Sequence, residues 1–281
     1  MAAVRLIMMC QVCATIAPSA SAARSQAPFD YVMNNPKHEH RVAIVTGAGR
    51  GIGRAIAVAL AHAGFSLCIA ARKREELEET RRLSGLEPAR SLIALIDLTA
   101  EDAADDLVGV AFDCFGRIDV LVNNAGWAPP RTPLMKLRQT EIDRMIALNL
   151  RAPIALTRLV AAKMSAAPGG GTIVNIASAS ARRLPAGESV YAATKAGLIA
   201  FTHAAFAELR PANVRLSVIV PGLVDTPLIP NNKRIDRSAM MAAEDIATAI
   251  MQIIESPPRT AAVELVLEPR SDPEHPAKRD G

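Results

Sequence analysis

Short apolar runs alternate with longer stretches of helical periodicity along most of the chain. The short runs indicate buried strands, because a strand covered on both faces loses the polar alternation of a half-exposed one. The pattern predicts seven strands, at residues 42–45, 66–70, 91–96, 120–122, 172–176, 215–220 and 263–267. The stretches between them predict helices over residues 51–63, 73–82, 100–115, 190–208 and 242–255, with one more running through residue 149.

This regular exchange of strand and helix predicts an α/β fold of the doubly wound, Rossmann type. Its sheet is expected to be mostly parallel, with right-handed crossovers and helices on both faces. A single catalytic domain is expected over residues 39–268, preceded by an N-terminal extension over 1–38. Residues 269–281 form a polar tail that we expect to be disordered.

Two helix starts are predicted from capping residues. Thr99, with Asp102 three residues later, is typical of a capping box before the helix over 100–115. Thr140 and Asp143 have the same spacing and predict the start of the helix that passes through Asn149.

The first 38 residues differ from the rest of the chain. Arg5, an apolar stretch over 6–17 and small residues after it resemble a short secretory signal. Met33 precedes a polar lead into the first strand, so an overextended translation start is the preferred interpretation, ahead of a signal or a mitochondrial-type presequence. Cys10 and Cys13 have C-x-x-C spacing, but they precede the domain and lack a second ligand pair.

Composition narrows the classes of function. Half of the 281 residues are hydrophobic and only 3% are aromatic, so small aliphatic side chains must form the core. The net charge is +4, but basic residues do not cluster with aromatic ones, so no nucleic-acid partner is expected. The chain has no run of 18 apolar residues, so no membrane partner is expected either. The five histidines lack metal-binding spacing and no G-x-S-x-G is present, which argues against a metal site and a serine hydrolase.

A glycine-rich turn follows the first predicted strand and opens the first helix. Residues 46–53 read T-G-A-G-R-G-I-G. Glycines allow a tight turn and a close approach of the backbone to phosphate, and the helix N-terminus offers free N–H groups to that anion. A tight strand-to-helix turn alone would use glycine too, but this context favours a nucleotide site.

Tyr191 and Lys195 lie four residues apart in a predicted helix, so they share one helix face. The helix follows the fifth strand, at the sheet edge where doubly wound folds bind ligands. A phenol with a pKa near 10 is a poor base at neutral pH, whereas a nearby ammonium can lower that pKa by roughly 1–3 units. The alternative is a surface tyrosine beside a surface lysine, but the position favours an acid/base catalyst.

The ordered set of motifs resembles the short-chain dehydrogenase/reductase family, in its single-domain, non-extended branch. The family's T-G-x-x-x-G-x-G matches residues 46–53, its N-N-A-G matches 123–126, and its Y-x-x-x-K matches 191–195. Asn149, Ser178 and the pair Pro221-Gly222 also follow in the family's order. The resemblance spans about residues 41–267.

The resemblance implies four catalytic residues. Tyr191 exchanges a proton with the carbonyl oxygen, and Ser178 holds that oxygen. Lys195 lowers the pKa of Tyr191 and binds the nicotinamide ribose. Asn149 holds a water that links Lys195 to solvent.

The resemblance also implies a nicotinamide cofactor and the residues that bind it. Asp97 is expected at the adenine, Asn123 and Ala125 near its ribose, and Val224 and Thr226 beside the carboxamide. The full cofactor set is Gly47, Arg50, Gly51, Ile52, Gly53, Arg72, Asp97, Asn123, Ala125, Gly126, Tyr191, Lys195, Pro221, Gly222, Val224 and Thr226.

NADP(H) is the expected cofactor, with NAD(H) as the alternative. NAD-preferring proteins place an acid at the end of the second strand, where it accepts bonds from the ribose hydroxyls. Here that position is Ala71, and Arg72 and Lys73 follow it. Arg50 lies in the glycine turn, and guanidinium groups suit the 2′-phosphate. Solvated surface charges are the alternative interpretation.

The expected function is therefore a carbonyl reductase or alcohol dehydrogenase, similar to 3-oxoacyl reductases, acting on a small-molecule carbonyl or alcohol. The substrate itself cannot be derived, but it should lie among residues 127–134, 181–189 and 223–241. A non-catalytic nucleotide-binding regulator or scaffold is the alternative, although it need not keep all four catalytic residues. Epimerisation or dehydration ranks lower because little chain follows the sixth strand. A cytoplasmic homo-oligomer, dimer or tetramer, is expected.

Overall fold

Seven strands form one parallel sheet in the computed structural model, which describes residues 40–229 and 235–274. Each strand begins and ends within one or two residues of its predicted bounds. The strands are β1 (Val42–Thr46), β2 (Ser66–Ala71), β3 (Ser91–Leu95), β4 (Val120–Asn123), β5 (Gly171–Ile176), β6 (Val214–Pro221) and β7 (Glu264–Leu267).

The helices lie between these strands, as the periodicity predicts. They are α1 (Gly51–His62), α2 (Arg74–Ser84), α3 (Ala103–Phe115), α4 (Gln139–Ile146), α5 (Ala152–Ser165), α6 (Ser180–Arg183), α7 (Ser189–Leu209) and α8 (Ala243–Ile254). The predicted α/β fold with a doubly wound parallel sheet is confirmed.

The strand order is β3-β2-β1-β4-β5-β6-β7, and every pair of neighbours is parallel. The chain therefore leaves β1 in one direction along the sheet and returns to add β4 on its other side. Ligands of such sheets bind at this reversal, beyond the carboxyl ends of the strands. The segments that follow β1 and β4 are the glycine turn and the run of residues 123–126.

Alternate residues of each strand contribute to two core layers, one on each face of the sheet, because successive side chains point to opposite faces. In β1, Ile44 packs with α3 and α5, whereas Val45 packs with α1 and α8. Leu77 of α2 joins the second layer. Both faces of the sheet are thus covered, which explains why its strands lack a polar alternation.

The first predicted cap is wrong. The hydroxyl of Thr99 donates to Asp97 Oδ1 at 2.8 Å, and the Thr99 N–H donates to the same oxygen at 3.0 Å. The threonine therefore closes a turn around Asp97, and α3 begins three residues later than predicted, at Ala103.

The second predicted cap is also wrong, and the predicted helix is interrupted. The start of α4 is closed by Glu141, whose carboxylate accepts from the Arg138 N–H at 3.0 Å. A π-helical turn, Ala147–Arg151, then separates α4 from α5. Pro153 follows this turn as the second residue of α5, where its missing N–H costs least.

The predicted disorder of the tail is not seen over residues 269–274. The carbonyl of Pro273 accepts from the Asp236 N–H at 2.9 Å, and Glu274 forms an ion pair with Arg131 at 3.1 Å. The extension over 1–38, Cys10, Cys13 and residues 275–281 lie outside the described residues.

One helical stretch among the described residues, Gln139–Ser165, is long and apolar enough to cross a membrane. It comprises α4, the π-helical turn and α5. Leu156, Val160 and Met164 of α5 are buried against the sheet. The apolar character of this stretch is accounted for by its place in the protein core.

Candidate active site

The glycine turn lies against the segment that follows β4. Gly47 has φ +65°, which only glycine adopts without strain, and a Cβ there would lie 2.9 Å from Ala125 Cα. A Cβ at Gly53 would collide with the carbonyl oxygen of Gly47. The turn therefore closes tightly and leads into the N-terminus of α1, which forms a cradle for a phosphate.

A groove runs from this turn along the carboxyl ends of β1, β2, β3 and β4. Most of the predicted cofactor residues line it, namely Gly47, Arg50, Gly51, Ile52, Gly53, Arg72, Asp97, Ala125, Gly126 and Thr226. The remaining six do not line it, namely Asn123, Tyr191, Lys195, Pro221, Gly222 and Val224. Pro221 is the last residue of β6, and Gly222 lies against Glu268.

The side chain of Asn123 lies between the sheet and α5 instead of in the groove. It is 2% exposed and donates to Asn175 Oδ1 at 2.8 Å. Its neighbour Asn124 lines the groove and donates to Thr46 O at 2.9 Å and to Gly47 O at 3.2 Å. The amide that fixes the glycine turn is therefore that of Asn124. Only the backbone of Asn123 remains for the expected cofactor contact.

The side chain of Val224 is likewise buried in the core, and the residue forms a β-bridge with Met241. Any ligand contact from Val224 must therefore come from its backbone. Thr226 lies at the groove, where its Cγ2 atom would be 3.2 Å from a Cβ at Gly51.

Tyr191, Lys195 and Ser178 meet at the carboxyl edge of β5. Lys195 is 4% exposed, and its ammonium donates to the Ile176 carbonyl oxygen at 2.7 Å. The same Nζ lies 5.9 Å from the centre of the Tyr191 ring. Ser178 follows β5, and its side chain acts to lower the pKa of Tyr191. The helix spacing of the tyrosine and the lysine thus brings both to the strand end that carries the serine.

The expected lowering of the Tyr191 pKa by Lys195 is not observed. Burial raises the pKa of Tyr191 to about 12, although the Ser178 side chain acts in the opposite direction. The Glu188 carboxylate raises it further. Burial also lowers the pKa of Lys195 to about 8. Desolvation is the largest cause of both shifts, because it disfavours the charged form of each group.

Asn149 lies in the π-helical turn and is fully buried. Its Oδ1 accepts from the Trp127 N–H at 2.8 Å, and its Nδ2 donates to the Trp127 carbonyl oxygen at 2.8 Å. Oδ1 can accept one more hydrogen bond, so the expected role of Asn149 in holding a water stays a prediction. A Cβ at Gly126 would lie 3.4 Å from Asn149 Oδ1 and 3.5 Å from Lys195 Nζ. Asn149 therefore holds the turn at Gly126 beside the lysine.

Asp97 lines the groove just beyond the end of β3. Partial burial opposes its ionisation, but the two hydrogen bonds from Thr99 and the guanidinium groups of Arg72 and Arg144 keep its pKa below the usual range. Arg144 lies over the Trp127 ring at 4.3 Å. The groove thus carries a carboxylate between two arginines.

Arg131 joins three segments of the chain through two ion pairs. It pairs with Glu188, just before α7, at 2.8 Å and with Glu274 of the C-terminal segment at 3.1 Å. The Thr132 N–H donates to the Gly187 carbonyl oxygen at 2.9 Å. Two of the three loops expected around the substrate are therefore in contact, and the C-terminal segment joins them.

Sequence reasoning missed several residues of the groove: Asn124, Glu76, Arg144 and Leu148. Asn124 lies next to a predicted residue in the same motif, and strand alternation could have separated the two. The others come from helices whose rotation about their own axes has no signal in the sequence.

Comparison with known proteins agrees with this geometry. The family model of the short chain dehydrogenases matches residues 41–236. The short chain dehydrogenase/reductase astE of Aspergillus oryzae is 34% identical over 189 residues, which is 67% of this chain and 72% of that protein.

Two solved structures resemble the fold closely. A 3-ketoacyl-(acyl-carrier-protein) reductase from Brucella melitensis, complexed with NADH, has a TM-score of 0.75 at 28% identity. A metagenomic short-chain oxidoreductase in complex with NADP has a TM-score of 0.71 at 33% identity. Each comparison covers 82% of this chain and 97% of the solved chain. The chain belongs to the short-chain dehydrogenase family and is an oxidoreductase of the NAD(P)-dependent kind that acts on CH–OH groups.

Proposed function

We propose that the protein is an NADPH-preferring carbonyl reductase or alcohol dehydrogenase, similar to 3-oxoacyl reductases. The observation that carries this proposal is the meeting of Tyr191, Ser178 and Lys195 at one strand end, beside the groove. The glycine turn fits a dinucleotide, because Gly47, Gly51 and Gly53 line the groove and carry no side chain that would keep a pyrophosphate from the backbone. Gly47, Gly51 and Gly53 would hold the pyrophosphate at the N-terminus of α1.

The protein's part in the reaction is to move a proton and to orient the reacting groups. A bound nicotinamide cofactor supplies or accepts the hydride. The Tyr191 hydroxyl donates its proton to the carbonyl oxygen in reduction and withdraws it from the alcohol in oxidation. Ser178 holds that oxygen, and the Lys195 ammonium stabilises the phenolate. Asn149 keeps the Gly126 turn in place next to Lys195.

The preference for NADPH is supported by charges at the adenosine end. Ala71 ends β2 where NAD-preferring proteins carry an acid, and Arg72 and Arg50 line the same groove. The solved relatives contain NADH in one case and NADP in the other, so both cofactors suit the fold.

We further propose a homo-oligomer in the cytoplasm. Leu134, Met135 and Ile146 are apolar and exposed on the described surface, which favours contact with another copy. Cys68 is buried among apolar side chains of the core as a thiol, as expected in a reducing compartment. Light scattering of the purified protein measures the oligomeric state.

A substrate panel tests the proposed function. Ketones, 3-oxoacyl thioesters, sugars and their alcohols are offered with NADPH and with NADH, and the nicotinamide absorbance is followed. We expect turnover of at least one carbonyl, faster with NADPH. Binding of the cofactor without turnover on the whole panel would instead favour a nucleotide-binding regulator.

A further inference from the structure

A carboxylate reaches the adenosine end of the groove although the end of β2 carries none. It belongs to Glu76 in the first turn of α2, five residues after Ala71. The groove therefore combines this acid with the basic side chains of Arg50, Arg72 and Lys73.

Glu76 lies against the glycine turn. A Cβ at Gly49 would lie 2.9 Å from Glu76 Cβ, 2.9 Å from Glu76 Oε2 and 3.7 Å from Ala71 Cβ. The carboxylate thus occupies the space next to the last residue of β2. This is the region where an acid reads the ribose hydroxyls in NAD-binding folds.

The backbone of Glu76 is fixed to the glycine turn. Arg54 of α1 donates to the carbonyl oxygens of Gly49 and Glu76, the latter at 3.3 Å. Thr80 of α2 accepts from Arg54 Nε at 3.1 Å and donates to the Ala48 carbonyl oxygen at 2.9 Å. These hydrogen bonds therefore fix the first turn of α2 against the glycine turn. The backbone of Glu76 is fixed with it, which limits where the carboxylate can lie.

The two carboxylate oxygens of Glu76 face different groups. Oε1 pairs with Lys73 Nζ at 3.1 Å, and Lys73 is largely exposed. Oε2 is directed at Gly49. An ionised carboxylate only accepts hydrogen bonds, so it attracts ribose hydroxyls and repels a phosphate.

We propose that Glu76 is a cofactor-selecting residue, which accepts from the adenosine ribose hydroxyls of NADH and opposes the 2′-phosphate of NADPH. This inference rests on the proposed cofactor site. Arg72 then favours NADPH, whereas Glu76 favours NADH. The preference for one cofactor is set by the difference between these two effects on affinity. The position of the acid on a helix, instead of at a strand end, explains why the sequence of β2 alone points only to NADPH.

The test compares Glu76→Gln with Glu75→Gln by fluorescence titration of NADPH and of NADH. Glu75→Gln is the matched control, because it makes the same change in charge one residue away on α2. Glu75 is exposed and does not line the groove. Glu76→Gln should bind NADPH about 3- to 30-fold more tightly, because one negative charge near the phosphate is removed. It should bind NADH about 3- to 10-fold more weakly, because a neutral acceptor replaces a charged one. Glu75→Gln should match the wild type with both cofactors.

Opposite changes for the two cofactors support the inference. Equal changes for both, or none, overturn it and assign Glu76 a structural role, which the melting temperature of the same variant measures. Wild-type protein that binds neither cofactor overturns the proposed function and this inference together. If the wild-type protein binds NADPH and NADH with equal affinity, only the proposed preference for NADPH is overturned. The ratio of the variant's affinity to the wild-type affinity for each cofactor still tests Glu76.

Discussion

The ammonium of Lys195 lies 5.9 Å from the centre of the Tyr191 ring while it donates to the Ile176 carbonyl oxygen at 2.7 Å. A hydrogen bond therefore holds the lysine ammonium at the end of β5, close to the Tyr191 ring. Its charge is available to the phenolate at a distance fixed by one turn of α7.

Replacing Tyr191 with phenylalanine should lower turnover by about 10²- to 10⁴-fold, the usual contribution of general acid/base catalysis. The change removes one hydroxyl and leaves the ring in place, so cofactor affinity should stay close to the wild type. Steady-state rates on the best substrate of the panel and cofactor titration measure the two effects. Normal turnover of the variant would rule out Tyr191 as the acid.

The pH dependence of stability should report on buried Lys195. Its pKa is about 8 in the folded protein and 10.5 ordinarily, so the unfolded chain binds more protons between these values. The free energy of unfolding contributed by this residue should therefore rise with pH from about 8 to 10, as the buried ammonium loses its charge. Below pH 8 the full cost of burying the charge is present.

Melting temperatures at several pH values, compared between wild type and Lys195→Met, measure this contribution. The wild type should gain stability relative to the variant as pH rises through this window. The same comparison with Lys163→Met, an exposed lysine of α5, should show no such trend. A wild type and Lys195→Met pair with parallel pH curves would contradict the lowered pKa.

Glu188 should influence the acidity of Tyr191 from just before α7. Its carboxylate raises the pKa of the tyrosine, so Glu188→Gln should lower that pKa. Oxidation of an alcohol needs the phenolate, so its pH–rate profile should move toward lower pH in the variant. The rate of alcohol oxidation measured across alkaline pH provides the test.

Glu208→Gln is the matched control, because Glu208 is exposed at the far end of α7. Its profile should coincide with that of the wild type. A Glu188→Gln profile that moved toward higher pH, or a shift of equal size in both variants, would show that the Glu188 charge does not act on Tyr191.

Arg72→Ala should weaken NADPH binding by about 10- to 150-fold and scarcely change NADH binding. A hydrogen bond to a charged group contributes about 1.5–3 kcal/mol, and only NADPH carries the 2′-phosphate. Arg82→Ala removes a charge from the other end of α2, away from the groove, and should bind both cofactors as the wild type does. Equal losses for NADPH and NADH in Arg72→Ala would refute contact with the phosphate.

Local patterns predicted the glycine turn and the juxtaposition of Tyr191 and Lys195, because each depends on few neighbours. Gly47 follows directly from the end of β1, and Tyr191 and Lys195 need only one helix to share a face. The direction of the Asn123 side chain could not be predicted, because it follows from the pairing in register with Asn175 of β5. That direction depends on a strand 52 residues away.

The features of the site that the sequence did not predict depend on tertiary contacts. Glu76 reaches the groove because Arg54 fixes α2 against the glycine turn, and the sequence of α2 carries no trace of that rotation. The pKa of Tyr191 was predicted from the charge of Lys195, whereas burial decides it. Burial is a property of everything packed around a group, so the spacing of two residues does not reveal it.

The π-helical turn Ala147–Arg151 sets an angular offset between α4 and α5. A π turn contains one residue more than an α turn, which rotates the following helix by about 100° relative to an uninterrupted one. Arg144 before it faces the groove, while Leu156 after it faces the sheet. The loss of one residue from the turn would rotate α5 relative to α4 and move Leu156 out of the core. Variation in the length of this part of the chain is therefore restricted.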